Sequence, residues 1–211
     1  EIETAEKGLL WLKFRLRGVQ GHASRPDAGP NVRTAAARLV LSVAEMESFF
    51  SARDERFSPP GSTFVPTRVE SPALGINVIP AEEIFYADCR ILPVYSLDEV
   101  VREAEERART VALETGTSVD LEVVDRTDSS STDPQHPFCR ALGECVRQVK
   151  GESPLMVGAG GSTVAAYLRS AGFPALVWCS ENGTAHQVDE NVSVAAIRQD
   201  AEVIYRLILD R

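Results

Sequence analysis

"LLWLKFRLRG", residues 9–18, alternates apolar and polar side chains along its length and stops at Gly18. That is the pattern of a strand buried on one face. A turn rich in glycine and proline follows, "GHASRPDAGPN" (21–31), and then "VRTAAARLVLSVAEMESFFSA" (32–52). Ala36, Leu39, Val40, Val43 and Met46 fall there at helical spacing, with Asn31 placed to cap the first turn. "STFVPTRVES" (62–71) reads as a strand whose proline confines it to an edge or a bulge. After a turn around Gly75, "EEIFYADCRIL" (82–92) alternates again. "SLDEVVREAEERARTVALETG" (96–116) predicts a helix with Ser96 as N-cap, Glu99 completing a capping box and Gly116 closing the C-terminus. "SVDLEVVDR" (118–126) is a last strand. The order β-α-β-β-α-β predicts an antiparallel sheet with two helices on one face, a layer that can bury a core by itself.

The remainder has another character. "TDSSSTDP" (127–134) reads as a polar linker, followed by a helix over about 135–149 and a short strand near "PLMVG". Then come a glycine-rich turn, a helix over 162–171, the strand "PALVWCS" (174–180), a loop, and a helix from about 194 to 209. Two strands make too small a sheet to cover both faces, so this α/β piece is expected to complete a larger sheet whose first half lies elsewhere.

The chain has 211 residues, 44% hydrophobic and 25% charged, with 22 basic against 31 acidic residues and a net charge of −9. An acidic surface repels phosphate backbones, which argues against nucleic acid as a partner. No apolar run approaches the ~20 residues of a membrane span. The start, "EIETAEKGLL", lacks the layout of a secretory signal and an initiator Met, which points to a cytoplasmic protein and to a segment of a longer chain. None of the four cysteines forms a C-x-x-C pair. Cys89 and Cys179 lie in apolar runs and are expected as buried free thiols in a reducing compartment.

Only three histidines are present. His186, in "SENGTAHQVDENVS", is either an exposed loop residue or one ligand of a metal whose other ligands lie elsewhere, because zinc takes three or four. His136 precedes Pro137 and reads as surface at a helix start. His22 is either a turn histidine bonded to local backbone or a donor to a developing oxyanion. "GAGGST" (158–163) sits between a strand and a helix, where unpaired N–H groups can hold an anion, but it has neither the lysine of a P-loop nor a dinucleotide fingerprint.

Five stretches, in order, resemble one enzyme family: "EKGLLWLKFRLRGVQGHASRPDAGPN", "GINVIPAE", "ADCRILP", "GAGGSTVAAYLRSAGFPALVW" and "GTAHQVDENV". The family is that of the co-catalytic zinc hydrolases, which includes acetylornithine deacetylase, succinyl-diaminopimelate desuccinylase, aminoacylase and bacterial glutamate carboxypeptidase. The resemblance implies an α/β protein: a βαββαβ ferredoxin-like lid that dimerises, over 9–126, and the last part of a catalytic domain, over 127–211, with 1–8 ending an earlier catalytic segment. It implies cleavage of the amide bond of an N-acyl amino acid or small peptide by two zinc ions, with cobalt or manganese as substitutes. His186 matches a zinc ligand, and His22 matches a lid histidine that reaches the partner subunit's active site. Asn77 and Arg90 match residues holding the substrate carboxylate, a group a guanidinium can grip with two parallel bonds. Gly160, Gly161 and Ser162 match a loop lining the substrate pocket.

Two departures from the family pattern stand out. Val164 and Ala166 occupy places where many members carry Asp and Arg, which puts the acyl specificity in doubt. The family's other metal ligands and its general-base glutamate precede the lid, so this chain alone is expected to be inactive. The alternatives are a non-catalytic dimerisation module, pairing through an edge strand, and a small-molecule-binding module, because ferredoxin-like folds host many functions.

Overall fold

The computed structural model describes residues 1–71, 75–184 and 187–209. They form two compact units. The first comprises Lys7–Ser129 with Gly160–Ser162; the second comprises Glu1–Glu6, Ser130–Ala159 and Thr163–Arg211. In chain order the strands are β1 (Ile2–Glu6), β2 (Gly8–Arg17), β3 (Gly21–His22), β4 (Thr63–Glu70), β5 (Val78–Ile79), β6 (Glu82–Ile91), β7 (Ser118–Thr127), β8 (Ser130–Ser131) and β9 (Met156–Ala159). The helices are α1 (Val32–Ala44), α2 (Met46–Phe49), α3 (Leu97–Thr115), α4 (Pro137–Lys150), α5 (Val164–Ser170) and α6 (Val194–Leu209).

The first unit is the antiparallel sheet that the alternation of β2 predicts. Its order is β4-β6-β2-β7, with all pairings antiparallel. Leu10, Leu12, Phe14 and Leu16 are fully buried, while Trp11, Lys13, Arg15 and Arg17 between them lie on the other face. α1 and α3 bring Val32, Leu39, Val43, Leu97, Val100 and Ala104 into the same core, and Phe14 stacks on Phe85 with ring centroids 4.7 Å apart. The helix ends follow their residues. Asn31 accepts from the Arg33 and Thr34 N–H groups, Ser96 and Glu99 form the reciprocal capping box, and Gly116 closes α3 at φ 69°. β4 is an edge strand, and its register shifts between Pro66 and Arg68, in keeping with its proline.

The second unit is smaller. Its sheet has the order β8-β1-β9, with β1 parallel to β9 and antiparallel to β8. Its core cluster is Ile2, Leu142, Cys145, Val146 and Val203, with Met156 and Trp178 among the partly buried side chains against it.

Four expectations are corrected here. The predicted strand over 174–180 reduces to one bridge, in which Val177 exchanges two backbone bonds with Glu3, at 2.9 and 3.1 Å. Its neighbours are claimed by side chains: the Ala175 N–H and carbonyl bond Thr132 Oγ1, and the Ser180 N–H donates to Asp200. The linker over 127–134 is not free, because β8 inside it pairs with β1. The long helix over 32–52 stops at Ala44 and resumes for one turn as α2. Cys179 is exposed, whereas Cys89 is buried and its thiol is pushed up to about 12 by burial, which keeps it unreactive.

Candidate active-site residues

Beyond the last residue of β2 the chain leaves the sheet. Gly18 donates its N–H to the Ala81 carbonyl at 2.8 Å. A side chain at Gly18 would place its Cβ 2.6 Å from the Pro30 carbonyl oxygen, so the turn requires glycine there. β3 then pairs with β5, with His22 opposite Val78. The Ala23 N–H donates to the Asn77 carbonyl and the Arg25 N–H to the His22 carbonyl, each at 2.9 Å. The turn is thus fixed by backbone bonds on both sides of an exposed imidazole.

That imidazole is held at both nitrogens. His22 Nδ1 lies 2.8 Å from Ser24 Oγ and accepts the Ser24 N–H at 3.1 Å. Nε2 lies 3.1 Å from Asn77 Nδ2. Two residues singled out by sequence, 55 positions apart, are therefore in contact. Ser24 was not singled out; the signal was present in "GHAS", since a hydroxyl two residues after a turn histidine can reach back to its ring.

Arg90 stands on the sheet face away from the helices, with Asp88 beside it on the same face. Its Nε and Nη2 donate to the two Asp88 carboxylate oxygens at 2.6 and 2.9 Å. Trp11, opposite Asp88 on β2, donates its indole N–H to Asp88 Oδ2 at 2.8 Å. The two-bond grip expected for a substrate carboxylate is thus occupied by Asp88, and the edge left is Nη1, 3.3 Å from the Gly160 carbonyl. Trp11 and Asp88 orient the guanidinium, a role that no local pattern reveals.

The structure does not bring Asn77 to Arg90 within one chain. Arg90 lies eight residues along β6 from Glu82, which pairs with Arg17 at the sheet end where the β3–β5 turn departs. At the rise of an extended strand that is about 25 Å. His22 and Asn77 form one group, and Arg90 with Gly160 forms another.

Gly160, Gly161 and Ser162 are exposed, and a Cβ at either glycine would meet nothing within 4 Å. The following helix start carries its own cap: Thr163 Oγ1 accepts the Ala165 N–H at 3.1 Å and itself donates to the Glu6 carboxylate. An anion there would face Glu6, so the anion-binding reading of this helix start is set aside. Glu6 in turn pairs with Arg169 at 3.5 Å, both almost fully buried. Arg169 also donates to the Ala175 and Glu3 carbonyls. His136 caps α4 by accepting the Phe138 N–H.

His186 lies outside the described residues. Among the described residues no group of three or more His, Cys, Asp or Glu side chains could hold a metal, and no helix is long and apolar enough to cross a membrane.

The peptidase dimerisation domain family matches residues 4–116, more than half of the chain. An uncharacterised metallohydrolase of Methanocaldococcus jannaschii is 29% identical over 98% of this chain and 53% of its own length. A succinyl-diaminopimelate desuccinylase of Cereibacter sphaeroides is 30% identical over 99% of this chain and 53% of its own length. The chain spans about half the length of the curated relatives it matches. Among solved structures, the aminopeptidase PepT of Bacillus cereus superposes with a TM-score of 0.83 at 20% identity, covering 98% of this chain and 52% of that one. That likeness establishes the mixed α/β fold with its antiparallel sheet.

Proposed function

The chain belongs to the peptidase dimerisation domain family, and from that premise we propose that it is part of a metal-dependent amide hydrolase that works as a homodimer. The relatives carry the names metallohydrolase and succinyl-diaminopimelate desuccinylase. An N-acyl amino acid or small peptide is the substrate class that fits, with residues 9–126 as lid, 127–211 as part of the catalytic domain and the cytoplasm as its place of action.

The observation carrying this reading is the separation of the two groups. A donor pair, His22 with Asn77, stands at one end of the first unit, and Arg90 with the Gly160–Ser162 loop stands about 25 Å away along the ladder. One chain cannot close both around a small substrate. Two copies can, if the turn of one subunit reaches the Arg90 group of the other. His22 Nε2 then donates to the oxyanion that forms as the amide carbonyl is attacked. Asn77 stands next to that donor, and Arg90 offers Nη1 to the substrate carboxylate while Asp88 keeps its plane fixed.

Zinc is the metal the resemblance implies, with His186 as one ligand. The described residues do not fit a metal site by themselves, so the chemistry assigned to this chain stops at binding and oxyanion stabilisation. The second unit supports a role within something larger. On α6 only Val203 is buried, while Ile197, Ile204, Tyr205 and Ile208 are exposed by 45–62%. Apolar stripes of this kind mark surfaces built to be covered.

The test extends the protein to the full length of its relatives and assays hydrolysis of N-succinyl and N-acetyl amino acids and dipeptides with and without zinc. Zinc-dependent hydrolysis by the extended protein, absent from the 211-residue chain, is expected. A folded, zinc-loaded extended protein inert toward all three classes contradicts the reading.

A further inference from the structure

Two hydrogen-bond patterns fit the heavy atoms around His22, and they predict opposite chemistry. In one, Nδ1 carries the proton and donates to Ser24 Oγ at 2.8 Å, while Asn77 Nδ2 donates to Nε2 at 3.1 Å. In the other, Nδ1 is bare and Nε2 carries the proton. The Ser24 backbone decides between them. Its N–H points at Nδ1 from 3.1 Å, and a backbone N–H can only donate. In the neutral ring a proton on Nδ1 would lie against that N–H and forfeit the bond. In the neutral ring Nδ1 therefore presents its lone pair.

We propose that Ser24 is a positioning residue: its backbone N–H, with its hydroxyl beside it, holds His22 in the neutral Nε2–H tautomer. Ser24 Oγ–H then adds a second donor toward Nδ1. Without substrate, Asn77 completes the arrangement by turning its terminal amide half a revolution, so that Oδ1 accepts from Nε2–H until a substrate oxygen takes its place. The tautomer matters because a neutral imidazole has one donor, and the other nitrogen's partner sets which atom carries it. With Nδ1 fastened to its own turn, the donor points away from the turn, on the Asn77 side. The significance for catalysis rests on the oxyanion role proposed above; the tautomer itself does not.

The experiment uses the uniformly 15N-labelled chain as it stands and needs no substrate. At a pH where His22 is neutral, its ring nitrogens are read by long-range 1H–15N correlation. The expected result is a protonated, pyrrole-type Nε2 and a bare, pyridine-type Nδ1, with a 15N–15N coupling across the hydrogen bond from the Ser24 amide to Nδ1. Ser24→Ala keeps the N–H and should keep the tautomer. Ser24→Pro removes the N–H and should let the Nδ1–H form appear; should this variant fail to fold, the coupling in the unaltered chain decides alone. A protonated Nδ1, or a mixture of tautomers with no coupling, overturns the proposal. In the extended enzyme, Ser24→Ala should lower kcat about fivefold, the scale of one neutral hydrogen bond, with KM little changed and Ser24→Thr restoring the rate. A bare Nδ1 in an enzyme that hydrolyses no amide would strike the functional reading and leave the Ser24 assignment standing.

Discussion

The two units put the same kinds of side chain to different use. In the first, alternation and helical spacing converge on one core: Leu10, Phe14 and Leu16 from β2, Phe85 from β6, and Leu39 and Val100 from the helices are all buried. Both long helices are capped by their own residues. In the second, Ile2, Leu142, Cys145, Val146 and Val203 form the core cluster among the described residues, and buried polar groups add to the holding: Arg169 and Glu6 tie together α5, β1 and the segment around Ala175. The second unit leaves Ile197, Ile204 and Ile208 of α6 exposed, and under the proposed function these are the side chains that the rest of the enzyme would cover. The first unit is also the longer of the two, and a larger unit buries a greater share of its surface.

Phe85→Ala removes a ring stacked on Phe14 in the centre of the first core and should cost about 3–5 kcal/mol in chemical denaturation. Arg169→Ala should cost as much by another mechanism, about 3–5 kcal/mol, because it strands the buried Glu6 carboxylate. A cost below about 1 kcal/mol for Arg169→Ala would mean that the polar network is incidental.

Ser96→Ala, which opens the capping box of α3, should cost about 1 kcal/mol. Glu83 is a buried carboxyl group of the first unit and can be tested by pH. Burial raises its pKa, and Arg33, at 2.9 Å, only partly offsets this. The folded state then holds the proton more tightly than the unfolded chain. Its contribution is full below the ordinary carboxylate range and is lost as pH rises through the raised value. Relative to Glu83→Gln, the unaltered chain should lose stability as pH rises from about 4 toward neutrality; an opposite slope would refute the assignment.

The smallest effect is expected at α6. Ile204→Lys on its exposed face should change stability by less than about 0.5 kcal/mol yet weaken assembly in the extended protein. A large loss in the isolated chain would show that this face already packs within the unit.

Much of this contrast was legible in the sequence. The alternation of 9–18, the capping signals at Asn31, Ser96 and Gly116, and the proline in β4 each act through neighbours a few residues away, so local patterns reveal them. The β3–β5 pairing joins His22 to Val78, and no periodicity reports a contact so distant in sequence. The segment over 174–180 misled because its apolar run matches a strand while Thr132, Arg169 and Asp200 take its backbone groups. At the candidate site, His22, Asn77 and Arg90 were recognisable as residue types in a family order. That Asn77 adjoins His22, and that Asp88 occupies the Arg90 fork, are facts of three-dimensional placement.

Under the proposed function, the His22 turn of one subunit serves the active site of the other. This is tested most directly by mixing, in the extended enzyme, His22→Ala subunits with His186→Ala subunits under conditions of shown subunit exchange. Each variant alone should lose activity, His22→Ala by roughly 10²-fold in kcat, the scale for removing one oxyanion donor. The mixture should regain activity, because the heterodimer holds one site with an intact His186 and the partner's intact His22. No recovery in a mixture that demonstrably exchanges subunits would contradict the account.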